Sequence, residues 1–335
     1  MSGKALSARD HPVACFLAIT YALSWPLFVL VLWVLPDSML LQGSLGAIAV
    51  FAPALASMIV SGQERPEGVP GRPGQALASF LGTWLVAWIA AVLVTRGASG
   101  SSIHPGRVAF AGLVSVLPAF MVSRAFSSVR GIREHFRTLL LPRGNPLWYL
   151  FALLAVPAVQ LAGFGITVLI EGGSGPVSRQ GLSFDPLMAL PPFLYGFLFA
   201  GGINEESGWR GFALPRLQSR YCPLCAGLVV WLFWALWHLP MDLASGDPRG
   251  EILLNRLYYN VVWSILFMWV FNRTRGSILA PALFHASMNV MGAMLPRTDA
   301  AAVLFGLLAA SAISIDRMWR RLPPGHAAAR GGRTG

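Results

Sequence analysis

The chain has 335 residues, of which 55% are hydrophobic and 12% are charged, and its formal net charge is +11. Because soluble globular domains carry roughly 25% charged residues, this composition excludes a soluble domain and indicates a polytopic membrane protein. The positive charge then predicts arginine-rich cytoplasmic loops rather than a nucleic-acid partner, and three cysteines make no disulfide framework.

Ten apolar runs predict membrane-spanning helices, since roughly 17–25 largely apolar residues cross the hydrocarbon core. The runs are 14–36, 43–61, 76–95, 108–125, 146–170, 188–204, 223–243, 252–271, 275–295 and 299–316. The first run lacks a small-residue cleavage site, so we expect it to stay as a helix rather than be removed as a signal peptide. The predicted fold class is all-α, a polytopic transmembrane bundle of about ten helices.

Basic residues alternate between the two sides of this predicted bundle. With the N-terminus in the cytoplasm, 19 Lys and Arg residues fall on the cytoplasmic side and 6 on the other. This excess predicts an integral membrane protein with both termini in the cytoplasm. The strong bias toward arginine over lysine predicts that the membrane is a bacterial plasma membrane. It also places the end of the sixth helix on the cytoplasmic side.

The segments between the runs are mostly short. Segment 124–145 mixes arginines with Phe136 and leucines, which is typical of an amphipathic helix on the inner membrane face or of a plain basic loop, and both stay open. The Gly-, Pro- and Ser-rich stretches 62–75 and 96–107 are predicted linkers. The tail from Leu322 is predicted to be disordered.

The sixth run ends in the sequence Gly-Gly-Ile-Asn-Glu-Glu-Ser-Gly-Trp-Arg, which places two adjacent carboxylates at the bilayer edge. Ionisable groups are costly there and therefore indicate a functional site. Helical spacing aligns Glu205 with Trp209 and Glu206 with Arg210. We expect Arg210 to hold one carboxylate as an ion pair and to leave the other free for general acid–base chemistry. A purely structural cluster of charges is the alternative.

Two later runs add polar residues. His238 lies among tryptophans in the seventh run, and His285 and Asn289 share one face of the ninth at i,i+4 spacing. A lone histidine on an apolar face is more often a satisfied core residue than a catalyst. Three helices that each offer a polar group nevertheless favour convergence on one buried site.

The three motifs together resemble the CAAX-protease and bacteriocin-processing family, also called Abi, which includes the type II CAAX prenyl endopeptidases. The motifs are Glu-Glu-x-x-Trp-Arg (205–210), aromatic-x-x-x-His (234–238) and His-x-x-x-Asn (285–289). The resemblance covers residues 146–295, and one helical hairpin within 43–125 is additional. The family usually has Phe where this chain has Trp234.

The resemblance implies an intramembrane endopeptidase that cleaves a membrane-associated peptide or protein, either a prenylated CAAX-type C-terminus or a peptide precursor. It implies that Glu205 activates a water, that His238 holds this water, and that His285 and Asn289 stabilise the oxyanion. The supporting residues that it implies are Glu206, Arg210, Trp209 and Trp234. Helices six to nine would form a chamber whose mouth is cytoplasmic.

Zinc is the one cofactor that stays open. Glu205, His238 and His285 can bind zinc and leave a position for water, but the sequence lacks the zincin pattern His-Glu-x-x-His. The expected organisation is 1–145 as N-terminal transmembrane helices with a cytoplasmic basic segment, 146–295 as the protease core, and 296–335 as the last helix and a basic tail. The sequence does not indicate an oligomeric state.

Other chemistries fit parts of the sequence less well. Gly97–Gly100 matches the Gly-x-Ser-Gly of rhomboid proteases but lies in a predicted linker, and Cys222–Cys225 is expected to pack at the start of the seventh helix. Buried Glu, His and Asn would also suit a proton-coupled transporter, although the chain shows no internal repeat. A non-catalytic immunity or scaffold protein of the same fold is expected to have lost motif residues, and this sequence has lost none.

Overall fold

The computed structural model describes residues 7–35, 38–99, 103–177, 186–324 and 326. Within these residues the regular structure is helical, apart from one isolated antiparallel bridge between Gly68 and Val129. The predicted all-α class is therefore confirmed. Most of the tail that was predicted to be disordered lies outside the described residues.

The α-helices follow one another along the chain with short connections. In order they are α1 Pro12–Val29, α2 Met39–Val50, α3 Ala52–Glu64, α4 Pro73–Ser99, α5 Pro105–Val114, α6 Val116–Ser123, α7 Arg130–Leu140, α8 Leu147–Ile170, α9 Pro186–Leu198, α10 Gly202–Gly208, α11 Leu214–Gln218, α12 Pro223–Trp237, α13 Leu239–Ser245, α14 Arg249–Leu254, α15 Asn260–Arg273, α16 Leu279–Met294 and α17 Asp299–Ile315. π-Helical turns follow α1, α10 and α14, at Leu30–Val34, Trp209–Ala213 and Asn255–Tyr259.

Each of the ten predicted runs falls in helix, but several are bent or broken. By length and composition, four described spans can cross a membrane: Pro12–Val34, Pro73–Gly97, Pro105–Phe126 and Leu147–Ile170. Two bent pairs bring the number to six, with a 50° bend between α2 and α3 and a 45° bend between α12 and α13. The predicted linker that starts at residue 96 is helical to Ser99, where α4 ends.

The sixth run is not one helix, which corrects the prediction for the segment that carries the glutamates. The helix stops at Leu198 and a new one starts at Gly202, because Gly201 has φ +101°, a conformation that favours glycine. The Gly201 N–H donates to Asn204 Oδ1 at 2.8 Å, which caps the new helix. Glu205 therefore lies in the first turn of α10 rather than at the end of a spanning helix.

The first three helices pack directly around α10 and α12. Phe16 lies 5.5 Å from Trp209 in an edge-on contact, and the Trp237 indole N–H donates to Ser24 Oγ at 2.9 Å. The Asn204 amide donates to the Val50 carbonyl at 3.0 Å, across the bend between α2 and α3. Hydrophobic packing thus continues across the predicted boundary at residue 145.

Segment 124–145 contains the amphipathic helix α7, so the basic-loop alternative is wrong. Phe136 and Leu139 are buried on one side of α7 while its arginines lie on the other. The helix approaches α3 so closely that a Cβ on Gly131 would lie 1.9 Å from the Ser61 carbonyl oxygen.

The bundle has two ends, which we call the basic face and the opposite face. The basic face gathers α7, α11 and the C-terminal ends of α15 and α17, joined by hydrogen bonds such as Ile278 N–H to Thr138 O at 3.0 Å and the Gln218 amide to Asn272 at 3.0 Å. The opposite face comprises the ends of α1, α8, α13 and α16 and the starts of α2, α5, α14 and α17.

Candidate active site

Glu206 forms the centre of a buried charge cluster. Its Oε1 accepts from Arg210 Nη1 at 2.9 Å and lies 2.8 Å from His285 Nδ1. The Glu206 and Arg210 residues are both 0% exposed. The predicted i,i+4 ion pair is therefore present, with His285 as an additional partner that the sequence did not assign to Glu206.

Arg210 is held between aromatic rings as well as by its carboxylate. Its guanidinium carbon lies 4.6 Å from the Trp234 ring centroid and 4.3 Å from that of Phe267. Cation–π contacts of this kind contribute most where the cation is removed from water. The guanidinium therefore links α10, α12 and α15 in one rigid layer.

Glu205 has a different environment from its neighbour. Its Oε2 accepts from the Trp234 indole N–H at 2.6 Å, and its side chain lines the large cavity of the bundle, which Glu206 and Arg210 do not reach. The pair thus divides as the sequence predicted. One carboxylate is paired in the core, and the other lines the cavity.

His238 lies at the bend between α12 and α13 and also lines the cavity. Its Nδ1 is 2.7 Å from the Trp234 carbonyl oxygen. Since a carbonyl only accepts, Nδ1 must carry the hydrogen, and Nε2 is then the acceptor of the neutral ring. Trp234 therefore holds both groups: its indole donates to Glu205, and its carbonyl orients His238.

His285 and Asn289 lie on one face of α16, as their spacing predicted, and both line the cavity. The Asn289 amide donates to the Ala200 carbonyl at 2.5 Å, in the break between α9 and α10. A Cβ on Gly201 would lie 2.2 Å from His285 Nε2, so only glycine allows the break to pack against this ring.

Trp209 does not reach the cavity. It is fully buried, with its ring 6.3 Å from Trp237 and 5.5 Å from Phe16. Its implied supporting role is therefore hydrophobic packing behind the glutamates.

The cavity has a volume of about 1110 Å³, and Glu205 is a buried residue of its lining. It extends to Asp247, Gly292 and Arg297, which are exposed on the opposite face. Both described ends of the chain are on the basic face, where Phe16 packs on Phe212 and His326 lies beside Asn272. The cavity mouth and the described chain ends therefore lie toward different ends of the bundle, and the cytoplasmic side predicted for each stays a prediction.

The three candidate zinc ligands do not fit a metal ion in this arrangement. In the part of the chain that is described, no group of three His, Cys, Asp or Glu side chains is placed to hold one. His285 is engaged at Nδ1 by Glu206. Glu205 Oε2 is taken by the Trp234 donor.

Three residues of the site were not identified from the sequence: Gly201, Asn204 and Phe267. The sequence did indicate a helix cap at Gly201 and Asn204, because Asn204 carries a side-chain acceptor three positions after the glycine. Nothing in the sequence indicated Phe267, because an aromatic residue in an apolar run usually faces lipid or packs in the core.

The remaining sequence motifs lie away from the site. Gly97–Gly100 starts in the last turn of α4 and extends beyond the described residues. Cys222 caps α12, with its Sγ accepting from the Cys225 N–H at 3.2 Å, as the packing interpretation expected. Both thiols are free.

Two comparisons with known proteins point to the same family. Residues 187–291 match the family model described as type II CAAX prenyl endopeptidase Rce1-like, and this range contains all the site residues above. The chain is 30% identical over 257 residues to CAAX prenyl protease 2 of Methanococcus maripaludis, an alignment that covers 71% of this chain and 93% of the relative. The chain belongs to the Rce1-like family of type II CAAX prenyl endopeptidases.

Proposed function

We propose that this protein is an endopeptidase that hydrolyses a peptide bond of a membrane-associated substrate with a water activated by Glu205. The observation that carries the proposal is the placement of Glu205. Of the carboxylates that line the cavity it is the buried one, while Asp242 is paired with Arg256 and Asp247 is exposed.

Two acceptors are available to orient the water. Glu205 offers a carboxylate oxygen, and the Nδ1–H tautomer of His238 offers the Nε2 lone pair. A water that donates one hydrogen to each keeps a lone pair free to attack the scissile carbonyl. Glu205 then takes the proton as the C–O bond forms and returns it to the leaving amine, so that the proton is conserved over the cycle.

The oxyanion that forms needs a donor on the other side of the carbonyl. His285 can donate from Nε2 when Nδ1 also carries hydrogen, and Glu206 beside Nδ1 stabilises that cationic form. The Asn289 amide group lines the same wall of the cavity. Removal of one such donor typically lowers kcat by about 10²–10³.

The cavity is large enough for an extended peptide together with an apolar group. Its volume of about 1110 Å³ is slightly above the roughly 300–1,000 Å³ typical of ligand pockets. Substrates with a prenylated CAAX-type C-terminus and unmodified membrane peptide precursors are therefore both proposed, and a comparison of the two as substrates separates them.

The first test is cleavage of fluorogenic prenyl peptides and membrane peptides by purified protein in detergent. Glu205→Gln keeps the shape and removes the base, so we expect kcat to fall by at least about 10³. Asp242→Asn is the matched control, because it neutralises a cavity carboxylate away from Glu205 and should retain most activity. Equal cleavage by wild type and Glu205→Gln would remove Glu205 from this role.

Two further measurements separate the alternatives. Retention of full activity after exhaustive chelation, with no zinc by elemental analysis, would reject a metal-dependent reaction. Substrate-driven proton uptake in proteoliposomes, without any cleaved product, would favour a transporter.

A further inference from the structure

Five side-chain amides line the cavity, and two of them carry a buried atom without a hydrogen-bond partner among the described residues. Asn204, Asn255 and Asn289 each make a hydrogen bond within the protein. Gln160 Oε1 and Asn260 Nδ2 are buried and have no partner in the described chain. Buried polar atoms are nearly always hydrogen-bonded, because an unpaired one has lost its bonds to water and gained none. The two amides therefore point to a partner that enters the cavity.

Gln160 lies on the face of α8 that packs against α17. The buried residues of α8 recur every three or four positions and are Ala152, Val156, Gln160 and Gly163. A Cβ on Gly163 would lie 2.5 Å from Ala301, so the two helices touch about one turn beyond Gln160. Ala301 also lines the cavity. The terminal torsion of glutamine is soft, so rotation of the amide can present either its oxygen or its nitrogen to that space.

Asn260 lies at the start of α15, a helix that also packs against α17. Its Oδ1 is 3.5 Å from Arg256 Nη1, and because a guanidinium only donates, the oxygen is the end of the amide that is directed to Arg256. The Trp263 ring, also on α15, lies 4.6 Å from the Phe305 ring of α17. Trp263 and Phe305 both line the cavity, so the two unpaired amides lie beside the part of its wall that α17 forms.

The main chain of a peptide supplies the partners that these amides lack. Every residue except proline carries one N–H donor and one carbonyl acceptor, and both need partners once the chain has left water. A side-chain amide offers the matching acceptor and donor, whereas a prenyl or other hydrocarbon chain offers neither. We infer that Gln160 and Asn260 hydrogen-bond the main chain of the substrate in the cavity.

The inference rests on the proposed peptidase function and adds the conformation of the substrate to it. A helical segment uses its main-chain N–H and C=O groups for its own i to i−4 bonds and has none to offer at its centre. The substrate segment that reaches Gln160 and Asn260 is therefore extended. Bonds to the main chain do not depend on the identity of the side chains, so this part of the cavity accepts varied sequences.

Replacement of each amide by an apolar side chain of similar size tests the inference in the purified full-length protein. Gln160→Met and Asn260→Leu each remove a hydrogen bond to the substrate, so we expect KM for a peptide substrate to rise at least about fivefold. The value of kcat should change little, since the lost contact binds substrate and transition state alike. The melting temperature of Gln160→Met without substrate should not fall, because no bond within the protein is lost. An unchanged KM in either variant would overturn the inference for that residue.

The matched control is Gln218→Met, because Gln218 is 3% exposed and is not among the residues that line the cavity. Its amide exchanges two hydrogen bonds with that of Asn272, at 3.0 and 2.8 Å. We expect this variant to melt a few degrees lower, because Asn272 is left unpaired, and to keep the wild-type KM. The same result in Gln160→Met would overturn the inference, since the Gln160 amide would then pair within the protein or with water.

The second experiment identifies the main-chain group that Gln160 binds. Peptides in which an ester oxygen replaces one main-chain N–H at a time are bound to the Glu205→Gln variant, and their Kd is measured without cleavage. At one position we expect the ester to weaken binding at least about fivefold, and to make no difference once Gln160→Met is added. An ester effect that Gln160→Met leaves unaltered at every position would overturn the inference. Absence of Glu205-dependent cleavage by the wild type would overturn the proposed function instead and would not affect this comparison of binding.

Discussion

Among individual residues, Trp234 makes more contacts in the site than the sequence predicted. The motif position predicted only that its ring lines the site. In the structure its indole N–H donates to Glu205, its carbonyl fixes His238, and its ring covers Arg210. A phenylalanine at this position would keep the carbonyl contact with His238 and a ring over Arg210. It would lack the N–H that donates to Glu205.

Trp234→Phe should therefore lower kcat while it leaves the fold intact. A hydrogen bond to a charged group is worth about 1.5–3 kcal/mol, so we expect a fall of roughly 10- to 100-fold in kcat with a smaller change in KM. Trp237→Phe is the matched control, because the Trp237 indole donates to Ser24 rather than to Glu205. An equal loss in both variants would show that general packing, not the Glu205 contact, determines the activity.

At Gly201 the backbone conformation allows the chain to pack against His285. Alanine there would have φ +101° and a Cβ 2.2 Å from His285 Nε2. Left-handed backbone costs about 1–2 kcal/mol for a residue with a Cβ, and the ring must also move away from the cavity wall. We expect Gly201→Ala to lose at least about tenfold in kcat and to melt several degrees lower.

The control for Gly201→Ala is Gly46→Ala. Gly46 also lines the cavity, but no atom lies within 4 Å of an added Cβ and its φ is not in the left-handed region. Similar losses of activity in the two variants would argue against a specific contact between Gly201 and His285.

Among the secondary-structure elements, α7 links the basic face to the layer behind the glutamates. His135 of α7 lies 3.1 Å from Ser57 Oγ of α3. Burial, together with the nearby Arg216, lowers the pKa of His135 from 6.5 to about 3. The folded protein therefore holds this ring neutral, while the unfolded chain binds a proton below pH 6.5, so acidification favours unfolding.

We expect the melting temperature in detergent to fall between pH 7 and pH 5, and less so in His135→Gln. His135 is partly exposed, so its share is about 1 kcal/mol rather than the full linkage value. His104→Gln, on an exposed histidine before α5, is the control and should keep the wild-type pH dependence. Identical pH dependence in all three proteins would show that His135 does not contribute.

Hydrophobic runs and i,i+4 spacing were sufficient to predict the helices, the Glu206–Arg210 pair and the shared face of His285 and Asn289. They could not predict the break at Gly201, since an apolar run of this length fits one straight helix equally well. The contact between His285 and Glu206 joins residues 79 positions apart. Such contacts depend on how helices pack, and local periodicity carries no information about that.

Across the complete bundle, helices α4 to α6 form a segment whose two ends are paired with each other, although α4 also packs against α9. Val69 N–H donates to Ser128 O at 2.8 Å and Arg130 N–H donates to Glu67 O at 3.0 Å, so the two ends of the segment are paired. Much of its hydrogen bonding is internal: the Trp84 and Trp88 indoles donate to carbonyls of Gly112 and Val108. The segment lies within 43–125, where the family resemblance predicted an additional hairpin.

Replacement of residues 70–127 by a short Gly-Ser linker should therefore leave a folded, active protein. Residues 69 and 128 are already adjacent, so the linker closes a short loop at little entropic cost. The α4–α6 segment does supply Phe110 and Val114 to the cavity wall and packs against α9 through α4. Its loss therefore opens that wall to lipid and exposes one side of α9. We expect Glu205-dependent cleavage of a short peptide within about tenfold of wild type, and a larger loss for substrates with a long apolar group.

The control removes a different part of the N-terminal half. Deletion of α1 removes Phe16 and Ser24, which contact Trp209 and Trp237 directly behind the site, and we expect it to abolish folding. Both proteins are compared by size-exclusion chromatography in detergent and by peptide cleavage. Aggregation of the 70–127 deletion to the same extent as the α1 deletion would mean that α4 to α6 belong to the core, and that the paired ends at residues 67–69 and 128–130 do not mark a separable unit.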